Sequence, residues 1–416
     1  MADVQPLRAL HYDLATAGPL ADLIAPPYDV IDAPQRAALA ARSPHNVVEL
    51  DLPSGGDDRY AQAAERFEQW RRSGILVRDE DPALWLIEQR YRGGDGEART
   101  RHGLFARVGI EQYGAGRIRP HERTHPGPKE DRLRLTRATR ANLSPIFALY
   151  SDPTRGAYGS LASAAAGEPW GEAGDDEGTV HRIWRCANPA AIAAAQLVLA
   201  ESELLIADGH HRYETARAYA EEIGGEGEHR YVLMCLVAFE DPGLEILATH
   251  RLVGGLDDAR RRALAESIER DFQSSPVTLE ELAPPAGRGP LELGYLDSAG
   301  PRRLRLRDQA IADGALADMP SPYRTLDTGV LEALLLKGPL ALSDEDISQL
   351  RGLGYARDTP EAVELIERGS FDVAFLMRPT PVEQVREIAE TGVNMPPKST
   401  YFFPKVPTGL VFNLLA

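Results

Sequence analysis

The sequence predicts an α+β fold with mixed sheets and flanking helices. Three observations lead there. Apolar runs of strand length and stretches of helical spacing both recur along all 416 residues. They do not alternate in the regular order of a parallel sheet, and no segment repeats. A chain of this length forms more than one packed core. Four sections are expected: an N-terminal α+β lobe over 1–153, a flexible connector over 154–188, a lobe over 189–310, and a C-terminal α/β lobe over 311–416.

Taken in order, LRALHY (7–12) reads as a short strand. In IAPPYDVI (24–31) the two prolines force an extended path that puts Tyr28 and Asp29 on stiff backbone. NVVELDLP (46–53) reads as another strand. A helix is expected over 59–72, where Tyr60, Ala64, Phe67 and Trp70 share a face and Gly74 follows the end. ALWLIEQRYR (83–92) and RHGLFARVGIEQY (101–113) read as strands of a hairpin joined through GGDGE. A further helix is expected from near Glu130, carrying Leu133, Leu135 and Ala138, with Glu130 and Asp131 suited to its first turn. Residues 154–180, rich in Gly, Ala and acids without periodicity, read as the connector.

The second half follows the same logic. A helix over 189–201 leads into a strand ending at 204–207. After it come a strand over 231–240, an extended 249–253, a helix over 257–272 and a hairpin across 291–307. A helix over 327–336 has Asp327 as a candidate cap. Helix, strand and helix are expected over 359–392, and the last 22 residues hold two strand-like pieces around a polar Pro- and Lys-containing centre.

The stretch Leu204–Tyr219 concentrates the chemistry. An apolar run gives way to Asp208-Gly209-His210-His211-Arg212, five residues expected in a turn, and helical spacing (Ala216, Tyr219, Ala220) begins from Tyr213. Strand, polar glycine-containing turn and helix aim backbone N–H groups and a positive helix dipole at an anion. Gly209 permits a backbone that a Cβ would hinder, and Arg212 brings a planar fork for phosphate or carboxylate. Asp208 could hold a metal or accept a proton; the plainer alternative makes it the cap of the helix, with the histidines as solvated loop residues.

Composition sets limits. The 43% hydrophobic and 26% charged content is that of a soluble globular protein, and a formal net charge of −17 argues against binding a nucleic-acid backbone. No apolar run reaches membrane-spanning length, and the N-terminus lacks a signal-peptide pattern. Two cysteines exclude a disulfide framework and fit a reducing cytosol, so a cytoplasmic protein is expected. Of 46 basic residues only Lys129, Lys337, Lys398 and Lys405 are lysine; three of them lie in polar, Pro-flanked stretches, where a compact ammonium suits anion binding.

His121-Glu122-Arg123-Thr124-His125 formally matches the zinc-protease motif. The motif needs both histidines on one continuous helix, whereas Pro126 disfavours helical backbone at His125 and Gly127-Pro128 follow, so no zinc is expected. Lys398-Ser399-Thr400 lacks the upstream glycines of a phosphate-binding P-loop.

Four motifs in order, PPYDVI (26–31), HERT with PKEDRL and ANLSPIF (121–147), ADGHHRYETA (207–216) and MPPKSTYFFPKVPTGL (395–410), together resemble the domain-of-unknown-function 1015 family across essentially the whole chain. His125 departs from the apolar residue usual there. The DGHHR turn is also similar to the signature turn of the ParB/sulfiredoxin superfamily, including its archaeal free-serine kinases. That likeness covers the turn with its strand and helix, and implies a ParB/sulfiredoxin-like element there. It implies a phosphotransferase acting on a small hydroxyl metabolite, serine or phosphoserine, with ADP or ATP and Mg²⁺. Phosphoserine phosphatase and a non-enzymatic nucleotide-binding regulator are the alternatives.

On this resemblance, and on the charged groups that the four motifs supply, Asp208, His210, His211 and Glu122 are the expected catalytic residues, with Asp208 as Mg²⁺ ligand or base and Glu122 as the competing base. Phosphate or nucleotide falls to Gly209, Arg212, His121, Lys129, Arg132, Lys398, Ser399, Thr400 and Lys405, and substrate to Tyr28 and Asp29. Expected partners are the small molecule and the nucleotide, with no nucleic acid or membrane, and a homodimer is compatible with these. One phosphotransfer site further requires that the four motifs converge.

Overall fold

The computed structural model describes residues 2–113, 116–121 and 126–416. Contacts divide the chain into two units. One comprises Met1–Pro120, Thr124–Glu245 and Pro404–Ala416; the other comprises His121–Arg123 and Ile246–Phe403. Both are α+β: parallel and antiparallel pairing coexist in the first, and helices pack on the sheets in each.

The first unit is built on a nine-stranded sheet. Its middle is the expected hairpin, Leu84–Arg92 paired antiparallel with Ala98–Gly109. Tyr231–Ala238 adds antiparallel to Ala98–Gly109 and parallel to Ile146–Tyr150, which in turn pairs antiparallel with Leu204–Asp208. The fully buried runs Ile146–Tyr150 and Leu233–Leu236 explain why these strands read as continuously apolar. One core lies where Leu104, Ala106, Met234, Leu236 and Ile206 meet Leu161, Leu199 and Tyr213 from three helices. A second forms beneath the helix Arg59–Arg72, whose Tyr60, Phe67 and Trp70 pack with Tyr12, Leu50 and Phe412.

Three local expectations are corrected here. NVVELDLP contains the one-turn helix Val48–Asp51 rather than a strand. Buried Asn46 decides this: its amide donates to the carbonyls of Asp22 and Ile24, and its oxygen accepts from Val48 N. The Pro26-Pro27 path is followed by a single 3₁₀ turn over Tyr28–Val30. Residues 154–188 do not form a connector. They hold the helix Gly156–Ala164 and the strands Gly171–Gly174 and Val180–Cys186, the last pairing with Leu84–Arg92. The glycine read as flexible is a close-packing residue: a Cβ at Gly171 would stand 2.9 Å from the Leu20 side chain.

The second unit has a six-stranded sheet containing the expected 292–306 hairpin, with Val373–Leu376 between strands Glu292–Asp297 and His250–Val253. Its core joins Leu252, Leu296, Ala356, Ala374 and Leu376 to Ala362 of the helix Thr359–Glu367. Asp327 is not a cap; Leu326 holds that position, and the Asp327 carboxylate takes two hydrogen bonds of 2.7 Å from Arg378. Among the described residues no helix is long and apolar enough to cross a membrane. Cys186 and Cys235 are both buried thiols.

Candidate active site

The polar turn sits where a strand slips register. Between Ile206 and Asp208 the pairing with Ile146–Tyr150 shifts, an irregularity that re-aims the strand's last residue. The helix begins at His210, three residues before the expected start, and runs to Ile223. Gly209 is its cap residue, at φ +93°, left-handed backbone that glycine adopts without strain. A Cβ there would also meet the Arg212 guanidinium at 2.9 Å. Both facts bear out the reading of Gly209. His210 is buried in the first turn and His211 half-buried, so neither is a solvated loop residue.

Asp208 is the hub of an ionic cluster. Its Oδ2 accepts from Arg212 Nη2 at 2.6 Å and its Oδ1 from Lys405 Nζ at 3.1 Å. The other arm of Arg212 donates to Ser144 Oγ at 2.9 Å and to the Pro145 carbonyl, and Ser144 Oγ also accepts from Thr408 at 2.8 Å. Burial opposes the Arg212 charge, but Asp208, then Asp29, Tyr28 and Asp51, outweigh it and raise the pKa. Lys405 is set by a deeper network in which Gln89 donates to the Lys405 carbonyl and Arg101 to that of Pro404.

Arg212 lines a small, partly open pocket of about 40 Å³ together with Tyr28, Asp51, Arg132, Ser144 and Thr215, and Leu135, Ala216 and Val232 also line it. Arg132, buried, donates to Asp131 Oδ2 at 2.6 Å and to the Asp51 carbonyl at 2.5 Å, and lies 4.2 Å from the centre of the Tyr28 ring. Burial raises the pKa of Asp51 against the opposing charges of Arg132 and Arg212. Burial likewise pushes the Tyr28 phenol up to about 12, so it stays protonated at neutral pH. Two buried polar atoms of residues that line the pocket, Arg212 Nε and Thr215 Oγ1, have no hydrogen-bond partner.

Within the first unit, parts of all four motifs therefore meet: Tyr28 from the first, Arg132 and Ser144 from the second, Asp208 and Arg212 from the third, Lys405 and Thr408 from the fourth. Asp29 is exposed but acts electrostatically on Arg212 and Tyr28. Lys129 stands apart from the pocket lining, paired to Glu214 at 3.2 Å. The remaining candidates belong to the second unit. There His121 Nε2 bonds Thr400 Oγ1 at 2.8 Å, and Ser399 is buried in bonds to Thr328 Oγ1, Thr380 and the Pro396 carbonyl. Lys398 is exposed on left-handed backbone (φ +57°), with Arg251 donating to its carbonyl. Glu122 and His125 lie outside the described residues.

The residues around Asp208 do not fit a resident Mg²⁺. Each of its oxygens carries a cation, and among the described residues no group of three or more His, Cys, Asp or Glu is placed to hold a metal. Asp51 and Thr215 were missed as site residues. Asp51 lay hidden in a run read as a strand, while Thr215 lies in the quoted ADGHHRYETA motif, one turn beyond Arg212.

A sequence model for proteins of unknown function, DUF1015, matches residues 4–328. The chain belongs to the DUF1015 family. Among solved structures this DUF1015 protein is similar to a conserved hypothetical protein from Pyrococcus furiosus (14% identity, 75% of this chain and 95% of that one, TM-score 0.38). It is also similar to a free serine kinase in complex with AMP (14%, 74% and 92%, TM-score 0.38) and to SbnI with a C-terminal truncation from Staphylococcus aureus (11%, 74% and 87%, TM-score 0.38). Likeness of this size does not extend to function. No curated protein matches the chain.

Proposed function

We propose that this DUF1015 protein is a phosphotransferase that exchanges a phosphoryl group between a nucleotide, ATP or ADP, and the hydroxyl of serine or a close analogue. The observation that carries the reading is the pocket itself, where Arg132 and Arg212 share the lining with the buried carboxylate of Asp51. Phosphoryl transfer asks a protein for positioned cations and a carboxylate near the attacking hydroxyl, and this pocket has both. The choice of serine follows the resemblance of the DGHHR turn to free-serine kinases.

In the forward direction Arg212, braced by Asp208 and Ser144, and Arg132, braced by Asp131, neutralise the phosphate oxygens without reorganising. Asp51 takes the hydroxyl proton as the oxygen–phosphorus bond forms and the bond to the leaving ADP breaks. A raised pKa suits it to hold that proton. Asp208, expected as the base, acts instead as the brace between Arg212 and Lys405. Mg²⁺ arrives with the nucleotide as part of the substrate.

The test incubates pure protein with serine or O-phosphoserine, with and without ATP, ADP and MgCl₂, followed by ³¹P NMR. Phosphoserine and ADP should form from serine and ATP, or serine and ATP from the reverse mixture. Asp51→Asn should lose about a hundredfold or more in turnover while binding ATP within about tenfold. Inorganic phosphate released from phosphoserine without nucleotide would make the protein a phosphatase. Nucleotide binding without turnover in any mixture would refute the phosphotransferase reading.

A further inference from the structure

Thr215 stands one turn after Arg212, so the two side chains share a helix face, and both line the pocket. It is 3% exposed, yet its Oγ1 has no hydrogen-bond partner. That is unusual for a threonine inside a helix, where the hydroxyl commonly returns to the carbonyl four residues back. The two threonines of the facing helix Pro126–Thr139 do this: Thr136 donates to the Arg132 carbonyl and Thr139 to the Leu135 carbonyl, each at 2.9 Å. Thr215 forgoes that bond, and a buried hydroxyl left unpaired is destabilising where a valine of the same shape would not be. Arg212, which also lines the pocket, holds a second buried unpartnered donor in its Nε, while its Nη atoms bond Asp208, Ser144 and Pro145.

We infer that Thr215 Oγ1 and Arg212 Nε form a dedicated subsite for one oxyanion of the pocket's ligand, a phosphate or a carboxylate. Two unpaired donors three residues apart on one helix, both on residues that line one pocket, suit an oxyanion with more than one acceptor oxygen. A ligand cation is disfavoured beside the guanidinium and has Asp51 across the same pocket. The subsite rests on the reading of this pocket as a substrate site, but it requires binding only and not phosphoryl transfer.

Thr215→Val and Thr215→Ser separate the subsite from a structural role. Binding of inorganic phosphate, O-phosphoserine, serine and acetate is measured by calorimetry, and urea unfolding is measured without ligand. Thr215→Val should unfold at a urea concentration no lower than wild type, since it removes an unpaired hydroxyl, and should bind at least one oxyanion about tenfold more weakly. Thr215→Ser should bind within about threefold of wild type. Weakening towards phosphate alone or towards serine and acetate alone identifies which group occupies the subsite. Wild-type affinity of Thr215→Val for all four probes overturns the inference and leaves phosphoryl transfer untouched. Wild-type protein that binds none of them at millimolar concentration also overturns it. So does a lowered urea midpoint in Thr215→Val, which would give the hydroxyl a structural partner. Oxyanion binding that depends on Thr215 in a protein that transfers no phosphoryl group would uphold the subsite and discard the phosphotransferase reading.

Discussion

Replacing Asp208 with asparagine tests the ionic cluster most directly. The substitution keeps the shape and an acceptor but removes the negative charge between Arg212 Nη2 at 2.6 Å and Lys405 Nζ at 3.1 Å. Side-chain exposures of 18% for Asp208, 10% for Arg212 and 13% for Lys405 make this a partly desolvated cluster rather than a surface pair. At an effective dielectric of about 20, unit charges about 4 Å apart attract by about 4 kcal/mol before desolvation is counted. Removing one partner of a buried pair costs about 3–5 kcal/mol. The retained amide acceptor puts Asp208→Asn at the low end, near 3 kcal/mol. With a urea slope of about 3 kcal/mol per molar, the midpoint falls by about 1 M. All four tryptophans, Trp70, Trp85, Trp170 and Trp184, belong to the unit that contains the cluster, so intrinsic fluorescence reports its unfolding. Phosphate should restore more stability to the variant than it adds to wild type, because two cations have lost their anion; at one hundred times Kd the gain is about 2.7 kcal/mol. An unchanged midpoint would refute the reasoning. It is also what a helix-capping aspartate predicts, since asparagine caps about as well.

Three further outcomes are expected. Gly209→Ala puts a Cβ 2.9 Å from the Arg212 guanidinium on backbone at φ +93°, so it should cost about 1–2 kcal/mol and weaken phosphate binding; an intact titration would place Arg212 outside the binding site. Asn46→Ala removes three hydrogen bonds, two of them buried, and should lower stability by about 3 kcal/mol in the same fluorescence assay, and a loss under 1 kcal/mol would deny Asn46 its anchoring role. His250 has its pKa lowered to about 4, by burial first and then by Arg251, and its Nδ1 accepts from Met377 N. A depressed pKa gives stability that is present above the ordinary 6.5 and lost as pH falls towards 4, so protection of the Met377 amide from hydrogen exchange should fall by up to about 3 kcal/mol across that window. A flat profile between those values would show that His250 does not govern this pairing.

Elements decided by their own side chains were legible in the sequence. The helix Arg59–Arg72 carries its apolar face and its basic last turn within fourteen residues, and the 84–109 hairpin carries its alternation and its glycine turn. Elements decided from a distance were not. Val48–Asp51 turns as a helix because Asn46 bonds carbonyls more than twenty residues earlier, against the strand preference of its valines. Gly171 reads as a flexible residue until Leu20 is seen to occupy the space a Cβ would need. The helix after Gly209 starts three residues before its apolar spacing does, because its first residues, His210, His211 and Arg212, are polar and leave no apolar period there to count.

The candidate site divides along the same line, and the division explains why the proposed base is Asp51, to which the sequence assigned no role, rather than Asp208. Asp208 stands in the densest polar stretch of the chain, which is why the sequence draws attention to it. That density has a structural cause: Arg212 and Lys405 must be held in place, and a carboxylate holds them. A proton delivered to Asp208 would break its pairs to Arg212 and Lys405 at once, whereas at Asp51 it would break only the longer 3.3 Å pair to Arg132. Asp51 stands between Leu50 and Leu52, with only Asn46 and Glu49 as other polar residues in its run, so nothing local marks it. Its burial and its place on the pocket arise only when Arg132, 81 residues later, folds over it. A group that must take up and release a proton needs an environment that opposes its charge, and at Asp51 burial does so against the pull of Arg132 and Arg212. In this protein the polar motif marks where charge is held fixed, and the proposed proton acceptor comes from a stretch whose sequence looks like core.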